Sequence, residues 1–148
     1  MNIALCRGFK DIGVEMIKKI DHIGIAVRDL EDAMSIYRNL LGLEFKGTGT
    51  IEEQKINNAT FIVGEVKIEL VQSTHPEGPI GKFIEKRGEG IHHIAFRVEN
   101  IVKSLKELSS KGVNLIDEKP RIGVDGTRIA FIHPKDTKGV LIELVEKT

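Results

Sequence analysis

The chain has 148 residues, 41% of them hydrophobic, 30% charged and 5% aromatic. That length and apolar content fit one domain, or two closely packed halves, around a real core and argue against wholesale disorder. Lys+Arg and Asp+Glu each total 22, a formal net charge of zero, whereas a nucleic-acid binder normally carries a basic excess. The longest apolar runs are a few residues, far short of a membrane span. The single cysteine, Cys6, allows no intramolecular disulfide, which suits a reducing, cytoplasmic compartment.

Residues 1–16, MNIALCRGFKDIGVEM, are less regular than the rest of the chain and lack the charged start and apolar stretch of a secretory signal. They read as an N-terminal extension, with a single domain over 17–148. Its first regular segment is Asp21-His-Ile-Gly-Ile-Ala-Val27. Ile23, Ile25 and Val27 make one face and His22, Gly24 and Ala26 the other, a period of two that predicts a half-buried strand. Asp29 is a good N-cap, and Leu30, Ala33, Met34, Tyr37, Leu40 and Leu41 recur at helical spacing until Gly42. Strands are then predicted near Glu44–Lys46, Thr60–Val63 and Val66–Val71. A connection over 73–89 carries His75-Pro-Glu-Gly-Pro79 and a short helix around Ile80–Lys86, and the glycines of Gly88-Glu-Gly90 lead out of it.

From this point the chain repeats itself. His92-His-Ile-Ala-Phe-Arg-Val98 overlays the first strand with His93 on His22 (93 − 22 = 71), Phe96 on Ile25 and Val98 on Val27. Asn100 takes the place of Asp29, and Ile101, Leu105 and Leu108 mark a second helix that Gly112 ends. Strands near Asn114–Ile116, Arg128–His133 and Val140–Val145 complete the copy. The last strands also match: Val66-Lys-Ile-Glu-Leu-Val71 lies over Val140-Leu-Ile-Glu-Leu-Val145, with Glu69 on Glu143. Each half reads β-α-β-β-β, giving modules of about 17–72 and 90–148.

Each module contributes a histidine from its first strand and a glutamate from its last, both opposite the apolar stripe. His22, Glu69, His93 and Glu143 together make a mixed nitrogen and oxygen donor set of the kind that binds Co²⁺, Zn²⁺, Mn²⁺ or Ni²⁺. Taken singly, a strand glutamate is most often solvated and a histidine at a strand start most often structural. Matched placement in a repeat sets these four apart, because nothing in folding requires His and Glu there. His92 shares the side of Ile94, Phe96 and Val98 and reads as packed or hydrogen-bonded near the sheet end. His75 and His133 precede prolines and read as turn residues. Dinucleotide-binding, P-loop and nucleophile-elbow motifs are missing.

The repeated unit with its His/Glu pair resembles the vicinal oxygen chelate superfamily and, within it, the methylmalonyl-coenzyme A epimerase family. The likeness runs from about Ile17 to Glu146 and is carried by "IDHIGIAV", "GPIGKFIEKRGEGIHHIAFRV" and "DEKPRIGVDGTRIAFIHPKDTKGVLIELVE". It implies an α+β fold of two tandem βαβββ modules, a curled mixed sheet around a metal cleft, usually in a homodimer. It implies a divalent ion such as cobalt, a small-molecule acyl-CoA substrate and interconversion of the C2 epimers of methylmalonyl-CoA; the composition points to neither nucleic acid nor membrane as a partner. By position the metal ligands are His22, Glu69, His93 and Glu143, with Glu143 also the catalytic acid/base. Some relatives carry glutamine at the place of Glu69. The second acid/base falls at Asn58, which cannot shuttle a proton as a carboxylate does; Glu52, Glu53 and Gln54 are nearby. Lys82, Lys86, Arg87, Arg121, Arg128, Lys135 and Lys138 are candidate cations for the CoA phosphates. The alternatives are a glyoxalase I-like lyase acting on a glutathione hemithioacetal, a ring-cleaving Fe(II) dioxygenase, and a metal-free small-molecule-binding member of the superfamily.

Overall fold

In the computed structural model, which describes residues 16–147, the alternating stretch before Val27 is strand β1 (Ile17–Ala26). Asp29 caps helix α1 (Leu30–Ser35), its Oδ1 accepting from the Asp32 amide at 3.0 Å. The periodic residues after Ser35 wind on as a π-turn, Ile36–Leu40, and Gly42 ends it at φ +68°, a left-handed conformation that costs glycine little. β2 (Glu44–Ile51), β3 (Ile56–Val63) and β4 (Val66–Ser73) come next as an antiparallel meander. Helix α2 (Pro79–Arg87) leads into β5 (Gly90–Val98). Asn100 then caps α3 (Ile101–Ser110) through the Lys103 amide, also at 3.0 Å. β6 (Arg121–Ile122), β7 (Arg128–Ile132) and β8 (Ile142–Glu146) complete the fold.

The strands join in one curled, eight-stranded mixed sheet in the order β2-β3-β4-β1-β5-β8-β7-β6. β1 runs parallel to β4 and β5 parallel to β8, while β1 and β5 meet antiparallel at the centre. The first strand of each repeat is thus flanked by the last strand of its own repeat and the first of the other. Apolar stripes face the helices. Val27, Ala59, Phe61 and Leu70 pack with Leu30 and Ala33 of α1. Val98, Ala130, Ile132 and Leu144 pack with Ile101 and Leu105 of α3. Because side chains alternate, Leu70 and Leu144 turn to the helices while Glu69 and Glu143 turn to the inner face.

Two features depart from the expected elements. Asn114–Ile116, expected as a strand, makes only an isolated bridge from Leu115 to Ile132, and the edge strand β6 comes later. Asp117 explains the early stop: its Oδ2 takes the Phe131 amide at 2.9 Å, a donor that a continuing strand would have used. β2 and β3 are also longer than expected, running to Ile51 and starting at Ile56, so their hairpin projects over the inner face. The expected N-terminal extension lies outside the described residues except for Met16, which packs against the α3 cluster. Among the described residues, no helix is long and apolar enough to cross a membrane.

Asn100 satisfies a helix amide that would otherwise have no partner. Asn100→Ala is expected to lower the unfolding free energy by about 1 kcal/mol, read as a lower urea midpoint at unchanged slope.

Candidate metal centre

Four polar side chains are buried together on the inner face: His22 on β1, Glu69 on β4, His93 on β5 and Glu143 on β8, each between 4% and 7% exposed. Their meeting is a consequence of register. Gly24 pairs with both Glu69 and His93, and Ala95 pairs with both His22 and Glu143. Each small residue sits between one module's glutamate and the other module's histidine. A Cβ at Gly24 would fall 2.1 Å from His93 Cε1, so the imidazole lies where any side chain at this position would stand.

His22 Nε2 is 3.1 Å from His93 Nε2 and 3.4 Å from both Glu69 Oε2 and Glu143 Oε2. His93 Nε2 is 2.9 Å from Glu143 Oε2. His22, His93 and Glu143 each place a ligand atom within 4.8 Å of the other two, and Glu69 joins the group through His22. Donors about 2.1 Å from one ion stand roughly 3.0 Å apart at octahedral and 3.4 Å at tetrahedral angles. The observed spacing and the donor chemistry therefore fit a divalent-metal site.

Two residues beside the histidines belong to the site, against the simple alternation. In the β1–β5 ladder Ile20 pairs with Phe96 and His22 with Ala95, so Asp21 is an extra residue in β1. Gly24 pairs with His93 and Ile25 with Ile91, so His92 is an extra residue in β5. Such bulges re-aim side chains. Asp21, 3% exposed, places Oδ2 2.6 Å from His22 Nδ1 and takes Arg97 Nε on Oδ1 at 2.9 Å. His92 lines the same cavity as His93, with the two Nδ1 atoms 2.9 Å apart, and its ring meets Phe83 edge-on at 5.0 Å. The expectation that His92 belongs with the apolar side is corrected by the bulge. The repeat held a clue to both residues, since 92 − 21 is again 71.

The electrostatics are dominated by burial opposed by close partners. Burial disfavours charge on His22, but hydrogen bonds to Asp21 and Glu143 outweigh it and raise its pKa to about 10. Burial also opposes ionisation of Glu143, yet the neighbouring imidazoles bring its pKa down to about 2. Asp21, likewise desolvated, is held well below the carboxylate range by His22 and Arg97. Glu69 is pushed up by burial, which its partners do not fully offset. Burial, then the adjacent His93, lower His92 to about 4, so it is neutral at neutral pH.

The four residues line a cavity of about 230 Å³ whose other walls include Ile56, Val71, Ile80, Ile129 and Phe131. Glu53, Gln54, Lys67 and Arg121 supply polar groups to it. Asn58 is not in this lining; it is 3% exposed, with Nδ2 3.4 Å from Thr60 Oγ1. Of the seven candidate phosphate-binding cations, Arg121 lines the cavity, while Arg128 pairs with Glu146 at 3.0 Å. His133 Nδ1 accepts from the Lys135 amide at 3.1 Å and His75 Nδ1 lies 2.9 Å from Thr74 Oγ1, both turn roles.

The geometry leads to two expected outcomes. Gly24→Ala is expected to displace His93 and weaken Co²⁺ or Zn²⁺ binding at least tenfold, measured by competition with a chromophoric chelator; a carbon cannot share the imidazole's space. Below pH 10 the metal-free His22 carries two ring protons, and a metal must displace one. Affinity is therefore expected to rise by up to tenfold per pH unit between pH 7 and 9, with at least one proton released, read by calorimetry in two buffers of different ionisation enthalpy.

Known proteins resemble this chain over most of its length. Residues 21–131 match the Glyoxalase/Bleomycin resistance protein/Dioxygenase superfamily. The chain is 48% identical over 130 residues to YqjC of Bacillus subtilis (strain 168), a protein of uncharacterised function, covering 88% of this chain and 93% of that one. It is 38% identical over 134 residues to the ethylmalonyl-CoA/methylmalonyl-CoA epimerase of Cereibacter sphaeroides, covering 87% and 98%. The crystal structure of methylmalonyl-CoA epimerase from Mycobacterium tuberculosis superposes with a TM-score of 0.88 at 38% identity, covering 94% of each chain. With the paired modules, the shared cleft and these matches in agreement, the chain belongs to the Glyoxalase/Bleomycin resistance protein/Dioxygenase superfamily, on the branch that holds the methylmalonyl-CoA epimerases.

Proposed function

We propose that this chain is an isomerase of the racemase/epimerase class that inverts methylmalonyl-CoA at C2 by removing the proton from one face and delivering another to the opposite face. The observation that carries the reading is the convergence of His22, His93 and Glu143 inside a cavity with largely apolar walls, in a chain related over most of its length to epimerases. C2 lies between a thioester carbonyl and a carboxylate, so loss of its proton leaves an anion delocalised onto oxygen. A divalent ion held by His22, Glu69, His93 and Glu143, Co²⁺ in this reading with Zn²⁺, Mn²⁺ or Ni²⁺ as alternatives, supplies positive charge to those oxygens as the anion forms.

The protein's own groups carry the proton. Glu143 meets both imidazoles through a single oxygen, Oε2, which leaves its second oxygen to exchange with C2. It is ionised at neutral pH, as a base must be before it accepts a proton. Asn58, at the place expected for the second acid/base, has no carboxyl group and lies outside the cavity lining. Glu53, in the turn after β2, lines the cavity; we assign it the delivery of a proton to the opposite face of C2. Buried apolar walls exclude water and so protect the anion from protonation by solvent. We place the enzyme in the cytoplasm as a homodimer. The lone Cys6 and the large apolar side chains Ile17 and Ile20, 42% and 40% exposed on β1, support those two assignments.

Metal-loaded protein incubated with methylmalonyl-CoA in D₂O is expected to take up deuterium at C2, followed by NMR, and to stop on chelation or in His93→Ala. At full metal occupancy, Glu143→Gln is expected to slow exchange roughly 100-fold or more, whereas Glu53→Gln slows inversion and leaves exchange from one epimer. Absence of exchange by fully loaded wild-type protein overturns the epimerase reading.

A further inference from the structure

The two histidines of the cluster are each held from behind by the residue that precedes them, and those two residues occupy equivalent places in the repeat. We infer that Asp21 and His92 are positioning residues that fix the tautomers of His22 and His93 so that both Nε2 lone pairs face the metal. The inference rests on the metal-site reading. A neutral imidazole carries one proton, and the nitrogen that keeps it cannot be a ligand.

In the first module the acceptor is a carboxylate. Asp21 Oδ2 stands 2.6 Å from His22 Nδ1, so the proton belongs on Nδ1 and Nε2 is left as a donor atom. Asp21 is itself restrained: Arg97 holds Oδ1 through Nε at 2.9 Å and through Nη2, and Lys67 Nζ lies 3.8 Å from Oδ2. In the second module the acceptor is an imidazole. His93 turns Nε2 toward His22 and Glu143, and with a metal on Nε2 its proton would lie on Nδ1, 2.9 Å from His92 Nδ1. His92 accepts there and carries its own proton on Nε2.

The placement is built into the fold. Strict alternation would put Asp21 and His92 on the side opposite their histidines. Both instead occupy bulges in the β1–β5 ladder, so each module spends an extra residue to bring a second polar side chain to the inner face. The modules differ in chemistry, because a carboxylate makes its histidine a stronger donor than a neutral imidazole does. Asp21 therefore carries the larger effect.

The test uses the full-length protein loaded with Zn²⁺ and labelled with ¹⁵N in histidine. Zn²⁺ affinity is measured by chelator competition, and long-range ¹H–¹⁵N spectra identify which ring nitrogen is protonated. Wild type is expected to show Nδ1–H on both His22 and His93. Asp21→Asn keeps the size and the acceptor for Arg97 but turns an amide N–H₂ toward His22; it is expected to lose tenfold to a hundredfold in affinity together with the His22 Nδ1–H signal. His92→Leu is expected to lose about tenfold and the His93 signal, and His92→Asn, whose Oδ1 can accept in place of Nδ1, to recover to within about threefold of wild type.

His22→Ala and His93→Ala report on the site itself. Undiminished Zn²⁺ binding in both overturns the metal-site reading. Lost binding in those two, with unchanged affinity and Nδ1–H signals in Asp21→Asn and His92→Leu, overturns the positioning roles alone. Equal losses in His92→Asn and His92→Leu remove the role of His92. Where a variant does not fold, the wild-type spectrum still decides, since an Nε2–H tautomer on either histidine contradicts the inference.

Discussion

The structure depends on one pairing, the antiparallel contact of β1 with β5 at the centre of the sheet. These are the first strands of two copies of the same unit. Their contact brings the two histidines together and places His22 of the first module beside Glu143 of the second. Gly24 and Ala95 hold the middle of this seam, each between a glutamate and a histidine. A larger residue at Gly24 would occupy the space of the His93 ring. The seam is therefore a structural joint and the floor of the site at once.

Burial of four ionisable side chains in one place is costly, since each ion taken out of water forfeits several kcal/mol of solvation. The fold offsets that cost by mutual contact. Asp21 is shared among His22, Arg97 and Lys67, and Glu143 touches both imidazoles. Glu69, with fewer close partners, is the carboxylate whose protonated form burial favours. A cation in the centre would relieve this imbalance, because it would neutralise carboxylate charge while His22 gave up its Nε2 proton. The same group that completes the electrostatics is the one the proposed reaction needs.

The cavity divides its work between walls and floor. Ile56, Val71, Ile80, Ile129 and Phe131 give it apolar surface, and His22, Glu69, His93 and Glu143 with Glu53, Lys67 and Arg121 give it ionisable groups. That division suits a reaction in which protein groups, and not bulk water, take the proton from carbon and supply its replacement. Asn58 is buried against Thr60 outside this lining, while Glu53 and Gln54 reach the cavity from the turn between β2 and β3.

Much of this architecture is legible in the chain itself. A period of two, with the histidines repeated 71 positions apart and the glutamates 74 apart, determined the first and last strands of each unit, the duplication and the four inward residues, because alternation is a local property of an extended backbone. The N-caps at Asp29 and Asn100 and the left-handed glycines at 42 and 112 are local in the same way. The edge strand β6, the truncated pairing of Asn114–Ile116 and the roles of Asp21 and His92 were decided only by tertiary contact. Asp117 competes for a ladder hydrogen bond from another segment, and the bulges exist only as a mismatch between two strands that are far apart in the chain. Sequence alone determined which face of each strand the histidines occupy. Only the pairing of β1 with β5 decided that their neighbours would join them, because register belongs to two strands and cannot be read from either one.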